Sequence, residues 1–308
     1  EVIVMATKRE QTLEEVPIAV SVVTAETLRE AQINDVIDLQ ASVPSLRVTQ
    51  LQTTGNTNFV IRGFGNGANN PGIEPSVGVF IDGVYRSRSA AALADLPNLE
   101  RIEVLRGPQS TLFGKNASAG VINVITARPN LEEYEGSATL TYGNYNQIIL
   151  KGDISGPITD EFGWSLSAYS NQRDGYFTNL ETGSDLNERD RWGVRAQLYW
   201  EPTENISLRF IADSDELDEK CCGVANLFSG PATIAIGLVG GQLVPDDPFA
   251  YENYYDFDPS NEIETRGGSL HIDYDFDSFT LTSISALRTL DQFQSGDVDY
   301  TSARLIQE

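Results

Sequence analysis

A mixed α/β domain followed by antiparallel membrane-crossing strands is the fold class that this 308-residue sequence predicts. Three observations carry the prediction. Residues 16–129 hold helix caps, tight-turn dipeptides and short β-prone runs in mixed order. After Pro129 helical periodicity disappears and apolar residues recur at every second position. Beyond that point short and long connections alternate along the chain, as in an outer-membrane barrel with short inner turns and long outer loops.

Glu1 to Ala6 is a β-prone segment ahead of a polar stretch, Thr7 to Glu15. Val16 to Val23 reads as a strand, and Thr24 as the N-cap of a helix over Ala25 to Gln32. Asn34 is placed to cap a second helix, Asp35 to Ala41, with Pro44 beyond its end. Phe59 to Ile61 and Val77 to Ile81 read as strands, and Asp82-Gly83 is a two-residue hairpin signal. Ala90 to Leu96 has helix-forming composition. The stretch Leu99 to Pro129 organises the domain: a β-prone run Ile102 to Leu105 stopped by Gly107-Pro108, then a short helical turn, then a second run Val121 to Ile125 opened by Gly120. Gly107 to Lys115 is not a phosphate loop, because its glycine spacing is wrong and Asn116 stands where Ser or Thr is required.

Seven strands follow. Leu140 and Tyr142 alternate with Thr139 and Thr141, and Ile148, Leu150 and Ile154 with Lys151 and Asp153. Trp164, Leu166 and Ala168 form the third set. The fourth, Trp192, Val194, Ala196, Leu198 and Trp200, interleaves with Gly193, Arg195, Gln197 and Tyr199 and ends in tryptophan at both ends, which fits a lipid band between aromatic girdles. Ile206 to Asp213, Leu270 to Phe276 and a less regular Phe279 to Leu287 complete the set. Pro157 to Phe162, Glu201 to Asn205 and Asp277-Ser278 are short connections, Gln172 to Arg191 and Asp215 to Arg266 long ones. Gly143 to Asn146 is the first outer loop, an unusually short one. A soluble sandwich also alternates, so the connection lengths decide the reading.

The net charge of −24 argues against nucleic-acid binding and against a basic patch for anionic lipid. No run of eighteen apolar residues exists, which leaves strands as the means of crossing a bilayer. Cys221 and Cys222 are adjacent, too close for zinc-type spacing. A vicinal disulfide and one bond each to cysteines elsewhere are both open. The sequence begins at Glu1 without a signal peptide; in an exported protein the numbering then starts after cleavage. His271 is the only histidine and has the lumen-facing parity of its strand; with no positioned nucleophile it supports no catalytic triad.

The segments Ile61-Arg62-Gly63, Val79 to Val84, Glu100 to Pro108 and Gly120 to Thr126 together resemble the plug domain of TonB-dependent outer-membrane receptors, in that family's order and spacing. The resemblance implies three regions: a TonB box and linker over residues 1–15, the plug over 16–129, and the first part of a transmembrane β-barrel over 130–308, about seven of roughly 22 strands. It implies that Glu1, Val2, Ile3, Val4, Met5 and Ala6 form an extended, unpaired segment that adds to a sheet edge of TonB. Arg62 and Arg106 resemble plug arginines that lock onto carboxylates of the barrel wall. Ligand contact is expected from the plug loop Asn66 to Ile73, with Asn66, Asn69 and Asn70, and from the outer aromatics Tyr251, Tyr254 and Tyr255, which offer stacking surfaces.

The function so implied is energised import of a scarce large ligand, by default a ferric siderophore, with cobalamin, haem or an oligosaccharide also open. TonB with its inner-membrane energising complex, and outer-membrane lipid with lipopolysaccharide, are the implied partners. No cofactor and no catalysis are expected. The rival readings are a passive or signalling barrel that needs no Glu1 to Ala6, a soluble periplasmic binding module, and an enzyme dependent on His271.

Overall fold

The computed structural model describes residues 2–66, 72–95, 98–244 and 246–305. Its first region is a five-stranded mixed sheet made of β1 (Val20–Thr24), β4 (Val77–Ile81), β5 (Val84–Arg86), β6 (Leu99–Arg106) and β7 (Gly120–Thr126), in the order β1-β6-β7-β4-β5. Strand β7 runs parallel to β4 and antiparallel to β6. The sheet is covered on both sides, so most of β6 and β7 is buried, including Glu103 in the mixed charged and apolar β6 and the nearly continuous apolar run of β7. Ile102, Val104, Ile122 and Val124 enter one core with Leu28, Leu39, Phe59 and Leu93. Leu105 and Val121 enter the other, with Phe80, Phe113 and the N-terminal residues Val4 and Ala6. A second small sheet pairs β2 (Leu46–Gln50) with β3 (Thr57–Ile61).

Helix α1 (Ala25–Glu30) starts where its cap requires, with Thr24 Oγ1 accepting the Thr27 N–H at 3.3 Å. The turn Asp82-Gly83 has both residues at positive φ (47° and 73°) and joins paired Ile81 and Val84, the conformation that a two-residue hairpin needs. Two expected helices do not form. Over Asp35 to Ala41 only a 3-10 turn, Asp38–Ala41, is present, because Asp35 Oδ1 accepts the Ile37 and Asp38 N–H groups and fixes a tight turn in place of Asn34. Over Ala90 to Leu96 there is one 3-10 turn, Ser89–Ala92; Leu96 lies outside the described residues. A helix α2 (Ser110–Phe113) supplies the short turn between β6 and β7.

The second region is one antiparallel sheet of seven sequential strands: β8 (Glu135–Gly143), β9 (Gln147–Thr159), β10 (Phe162–Arg173), β11 (Arg189–Thr203), β12 (Ile206–Glu219), β13 (Ser260–Asp275) and β14 (Thr280–Ser295). On β11 the expected alternation is complete: Trp192, Val194, Ala196, Leu198 and Trp200 are exposed, while Gly193, Arg195, Gln197 and Tyr199 are buried against the plug side. Strands β12 and β13 stay paired as far as Glu219 and Asn261, so the long outer loop is shorter than the sequence suggests and spans 220–259. The last strand is regular over sixteen residues, longer than expected. No helix among the described residues is long and apolar enough to cross a membrane; the strands carry the apolar surface.

Candidate functional site

The plug region sits on the inner face of the strand wall through two groups of buried charges. In the first, Asp35 Oδ2 takes Arg189 Nη1 at 3.0 Å and Arg191 Nη1 at 3.2 Å. Arg191 is 2% exposed; it also clasps Glu219 of β12 and donates to the Leu93 carbonyl at 3.2 Å. Asp95 receives Asn171 Nδ2 at 3.0 Å and lies 3.9 Å from both Arg191 and Lys151, whose Nζ donates to Asn34 Oδ1 at 2.7 Å. In the second group, Asp82 takes Arg195 Nη2, with Arg209 Nη1 at 3.5 Å. The same carboxylate accepts the Thr126 N–H and hydroxyl, each at 3.0 Å. Arg209 also donates to the Thr126 carbonyl at 3.1 Å, and Gln197 Nε2 to the Ala127 carbonyl at 3.1 Å.

The arginines favour the charged form of two of these carboxylates. Burial alone raises the Asp35 carboxyl, but Arg191 and Arg189 outweigh it and hold the group below its ordinary value. Asp82 is likewise raised by burial and brought below its ordinary value by Arg195 and Arg209. Asp95 goes the other way: burial dominates over Arg191 and Lys151, and its carboxyl is raised.

These pairs do not involve Arg62 or Arg106. In the pairs that cross from plug to wall, Asp35, Asp82 and Asp95 come from the plug and Arg189, Arg191, Arg195 and Arg209 from the wall. Arg62 is exposed at a turn with φ 53°, and Arg106 Nη2 donates to Ser21 Oγ at 2.6 Å within the plug. Neither arginine has an ion pair among the described residues. Inward parity on β11 was the sequence signal for Arg195; the same parity reaches Arg191 only because the strand begins at Arg189, earlier than the sequence suggested. Nothing local marked Asp35, Asp82 or Asp95, since their partners lie far along the chain.

The N-terminal segment is paired, contrary to the expected free strand. Ile3 and Val4 form a two-residue ladder with Thr12 and Gln11. Val4 and Ala6 are fully buried in the second plug core, and the Met5 N–H donates to Glu103 Oε1 at 2.7 Å. Val4 and Ala6, two positions apart, point into the core, while Val2 and Ile3 remain exposed. Glu1 lies outside the described residues.

On the outer side, Tyr251 is 47% exposed and meets Tyr176 and Phe177 edge-on at ring distances of 6.0 Å each. Tyr176 in turn lies 6.0 Å from Tyr145, with the Arg173 guanidinium 5.1 Å from its ring. Tyr145 and Tyr176 thus extend the aromatic surface beyond the residues expected from sequence. Tyr254 is half-buried. Tyr255 does not belong to a contact surface: it is 1% exposed and forms a small outer core with Phe177 and Leu186. Its hydroxyl accepts the Val224 N–H at 2.9 Å and donates to the Cys222 carbonyl at 3.3 Å. Cys221 and Cys222 form a vicinal disulfide beside it.

Between plug and wall a polar hollow is lined by Gly55, Asn56, Asn58, Asn66, Arg88 and Gln292. Asn66 Nδ2 donates to the Glu74 carbonyl at 2.9 Å, and Arg88 Nη1 to the Gly72 carbonyl at 2.9 Å. Asn69 and Asn70 lie outside the described residues. His271 Nε2 is 3.0 Å from Ser269 Oγ on its own strand. The arrangement offers amide donors and acceptors, a guanidinium and aromatic faces, which are means of binding rather than of bond-making.

Residues 12–121 match the family model described as the TonB-dependent Receptor Plug Domain. The chain is 30% identical over 199 residues to the pesticin receptor of Yersinia pestis, covering 63% of this chain and 27% of that protein. It is 27% identical over 266 residues to the ferric enterobactin receptor PirA of Pseudomonas aeruginosa, covering 77% of this chain and 34% of that protein. It spans about a third or less of both relatives, which are receptors and not enzymes. The solved ferric yersiniabactin uptake receptor FyuA from Yersinia pestis superposes with a TM-score of 0.77 at 22% identity, over 91% of this chain and 42% of that one. The siderophore receptor PiuA from Acinetobacter baumannii gives 0.72 at 16%, over 94% and 38%. Residues 12–121 are thus a TonB-dependent receptor plug domain, and the chain as a whole has the fold of the plug and part of the β-barrel of outer-membrane receptors of that kind.

Proposed function

We propose that the protein imports a ferric siderophore across the outer membrane in a TonB-dependent, energised step. The observation that carries this reading is the docked N-terminal segment. Val2 to Ala6 contains a two-residue strand and is held by its ladder, the Leu13 N–H to Val2 carbonyl and Lys8 N–H to Met5 carbonyl bonds at 2.9 Å each, the Met5–Glu103 bond and two small buried side chains. It can leave without dismantling the ion-paired seat of the plug. Once free, its main chain presents donors and acceptors for strand addition to TonB, which the inner-membrane complex energises. Ligand binds from outside, over the hollow and the Tyr145–Tyr176–Tyr251 surface, where aromatic faces and an arginine suit a ferric chelate. The names of the ferric enterobactin, ferric yersiniabactin and siderophore receptors among the similar proteins support the siderophore class. The exposed apolar face of β11 meets outer-membrane lipid, with lipopolysaccharide above it.

Arg62 and Arg106 are assigned to wall contact beyond the seven strands; Arg106 Nε, buried without a partner among the described residues, supports that assignment. The test is uptake of labelled ferric hydroxamate, ferric catecholate, cobalamin and haem into cells carrying the full-length receptor, wild type or Ile3→Pro. Proline removes the ladder N–H, so strand addition fails. Uptake of a ferric chelate abolished by Ile3→Pro is expected. Uptake unaffected by the substitution would replace energised import with a passive receptor.

A further inference from the structure

One amide side chain joins the outer loop, the wall and the plug. Asn261 lies near the start of β13 and is 1% exposed. Its Oδ1 accepts the Thr54 N–H of the plug at 3.1 Å, and its Nδ2–H donates to the Cys221 carbonyl. Both partners fix the orientation of the amide, since a backbone N–H needs an acceptor and a carbonyl needs a donor.

Each side of this joint is itself held. On the plug side, the turn Thr54–Asn56 presses against the wall at Gly55, where a Cβ would stand 1.8 Å from Gln292 Nε2. The Thr53 hydroxyl donates to Gln294 Oε1 at 2.9 Å. The same turn lines the polar hollow. On the loop side, the Cys221–Cys222 disulfide closes two neighbouring residues into a small ring, which restricts the carbonyl that Asn261 grips. The next residue is clamped as well: the Gly223 N–H donates to Asn187 Oδ1 at 2.9 Å.

We propose that Asn261 is a positioning residue that couples the outer loop 220–259 to the plug turn Thr54–Asn56, with the vicinal disulfide holding the coupled arrangement. A displacement of the loop that withdraws the Cys221 carbonyl leaves a buried amide donor unmade. The side chain then reorients and releases the Thr54 N–H, so the floor of the hollow loosens. The purpose assigned to this coupling rests on the ligand entering from the outer side, as proposed above. Its physical content does not depend on the cargo.

The test uses hydrogen exchange of the peptide containing Thr54 in purified full-length receptor in detergent micelles. Wild type, Cys221→Ser/Cys222→Ser, Asn261→Asp and the combination are compared, with wall peptides of β11 as the control for folding. Removing the disulfide is expected to speed Thr54 exchange about tenfold in the wild-type background. In Asn261→Asp the carboxylate still accepts the Thr54 N–H but donates nothing to Cys221, so disulfide removal is expected to add nothing. Exchange at Thr54 that ignores the disulfide in wild type overturns the proposal. So does an equal acceleration in the Asn261→Asp background, because that would route the effect past Asn261. Loss of siderophore uptake is not read in this experiment, so its outcome stands apart from that of the import reading.

Discussion

Arg191 shows most directly what holds the plug to the wall. It is one of the largest fully buried side chains, and its guanidinium serves Asp35, Asp95 and Glu219 together with the Leu93 carbonyl. Removing such a charge does not simply subtract an interaction; it strands carboxylates where water cannot reach them. Asp35 keeps Arg189, but Glu219 has no other ion pair among the described residues. Arg191→Met is therefore expected to destabilise the seated plug by about 3–5 kcal/mol. Arg266→Met breaks an exposed pair with Glu264 and is expected to cost less than about 1 kcal/mol. Urea midpoints of plug proteolysis, measured on both variants, check the contrast; equal midpoints would mean that the wall contact is not what seats the plug. Part of this was legible. The alternation on β11 put Arg195 on the inward face, whereas Arg191 fell at the end of the long connection Gln172 to Arg191 and was not placed on a strand. Their partners were not legible, because Asp35 and Asp82 read locally as helix and turn residues, and only tertiary contact gives them their charge partners.

At the scale of elements, strands were read better than short helices, for a physical reason. Wall strands such as β10 and β11 are buried on one side only, so their period of two survives in the sequence. The short segments around residues 35–41 and 90–96 are decided by packing and by which carboxylate caps which N–H, and propensity is a weak guide there. The outer loops are a third case: the sequence showed aromatic and acidic residues but not that Tyr255 would become a core. The small outer sheet of Phe177–Asn179, Asp185–Leu186 and Glu252–Asn253 closes over it, and Tyr300 packs on its ring at 5.9 Å. Asp297 ties the tail of this unit, accepting the Asp299 and Tyr300 N–H groups at 3.1 and 3.0 Å. Burial and the neighbouring Asp299 push its carboxyl up to about 6, above the ordinary value of about 3.9. A raised value means that the fold favours the protonated acid. Its contribution is fully present below about pH 3.9 and is lost as pH rises through about 6. The outer unit is thus expected to be better protected at pH 5 than at pH 7.5, and Asp297→Asn is expected to remove that difference. Hydrogen exchange of the Tyr255 and Tyr300 peptides, corrected for intrinsic rates, measures it; protection that falls on acidification would contradict the assignment.

For the whole molecule, the decisive surface is the one facing away from the plug. Trp192 and Trp200 are eight positions apart on β11, about 27 Å along an extended strand. At a tilt of about 40° this projects to roughly 20 Å, close to the apolar band of about 25 Å that a barrel presents to lipid. Between them Val194, Ala196 and Leu198 are exposed, and none of the described residues covers them. A soluble protein has no reason to leave that row bare, whereas a bilayer supplies its missing neighbour. The neighbouring strands share the feature: Leu166 on β10 and Phe210 on β12 are exposed on the same side. Charge placed on this face should then be penalised by depth. Ala196→Arg, near the middle of the band, is expected to cost about 2–4 kcal/mol, and Thr203→Arg, at the inner rim, about 0–1 kcal/mol. Urea midpoints of the full-length receptor folded into lipid vesicles separate the two variants. A soluble module predicts the same small effect at both positions, since an arginine on a water-exposed strand costs little wherever it sits. A depth-dependent penalty is something that only a bilayer can impose.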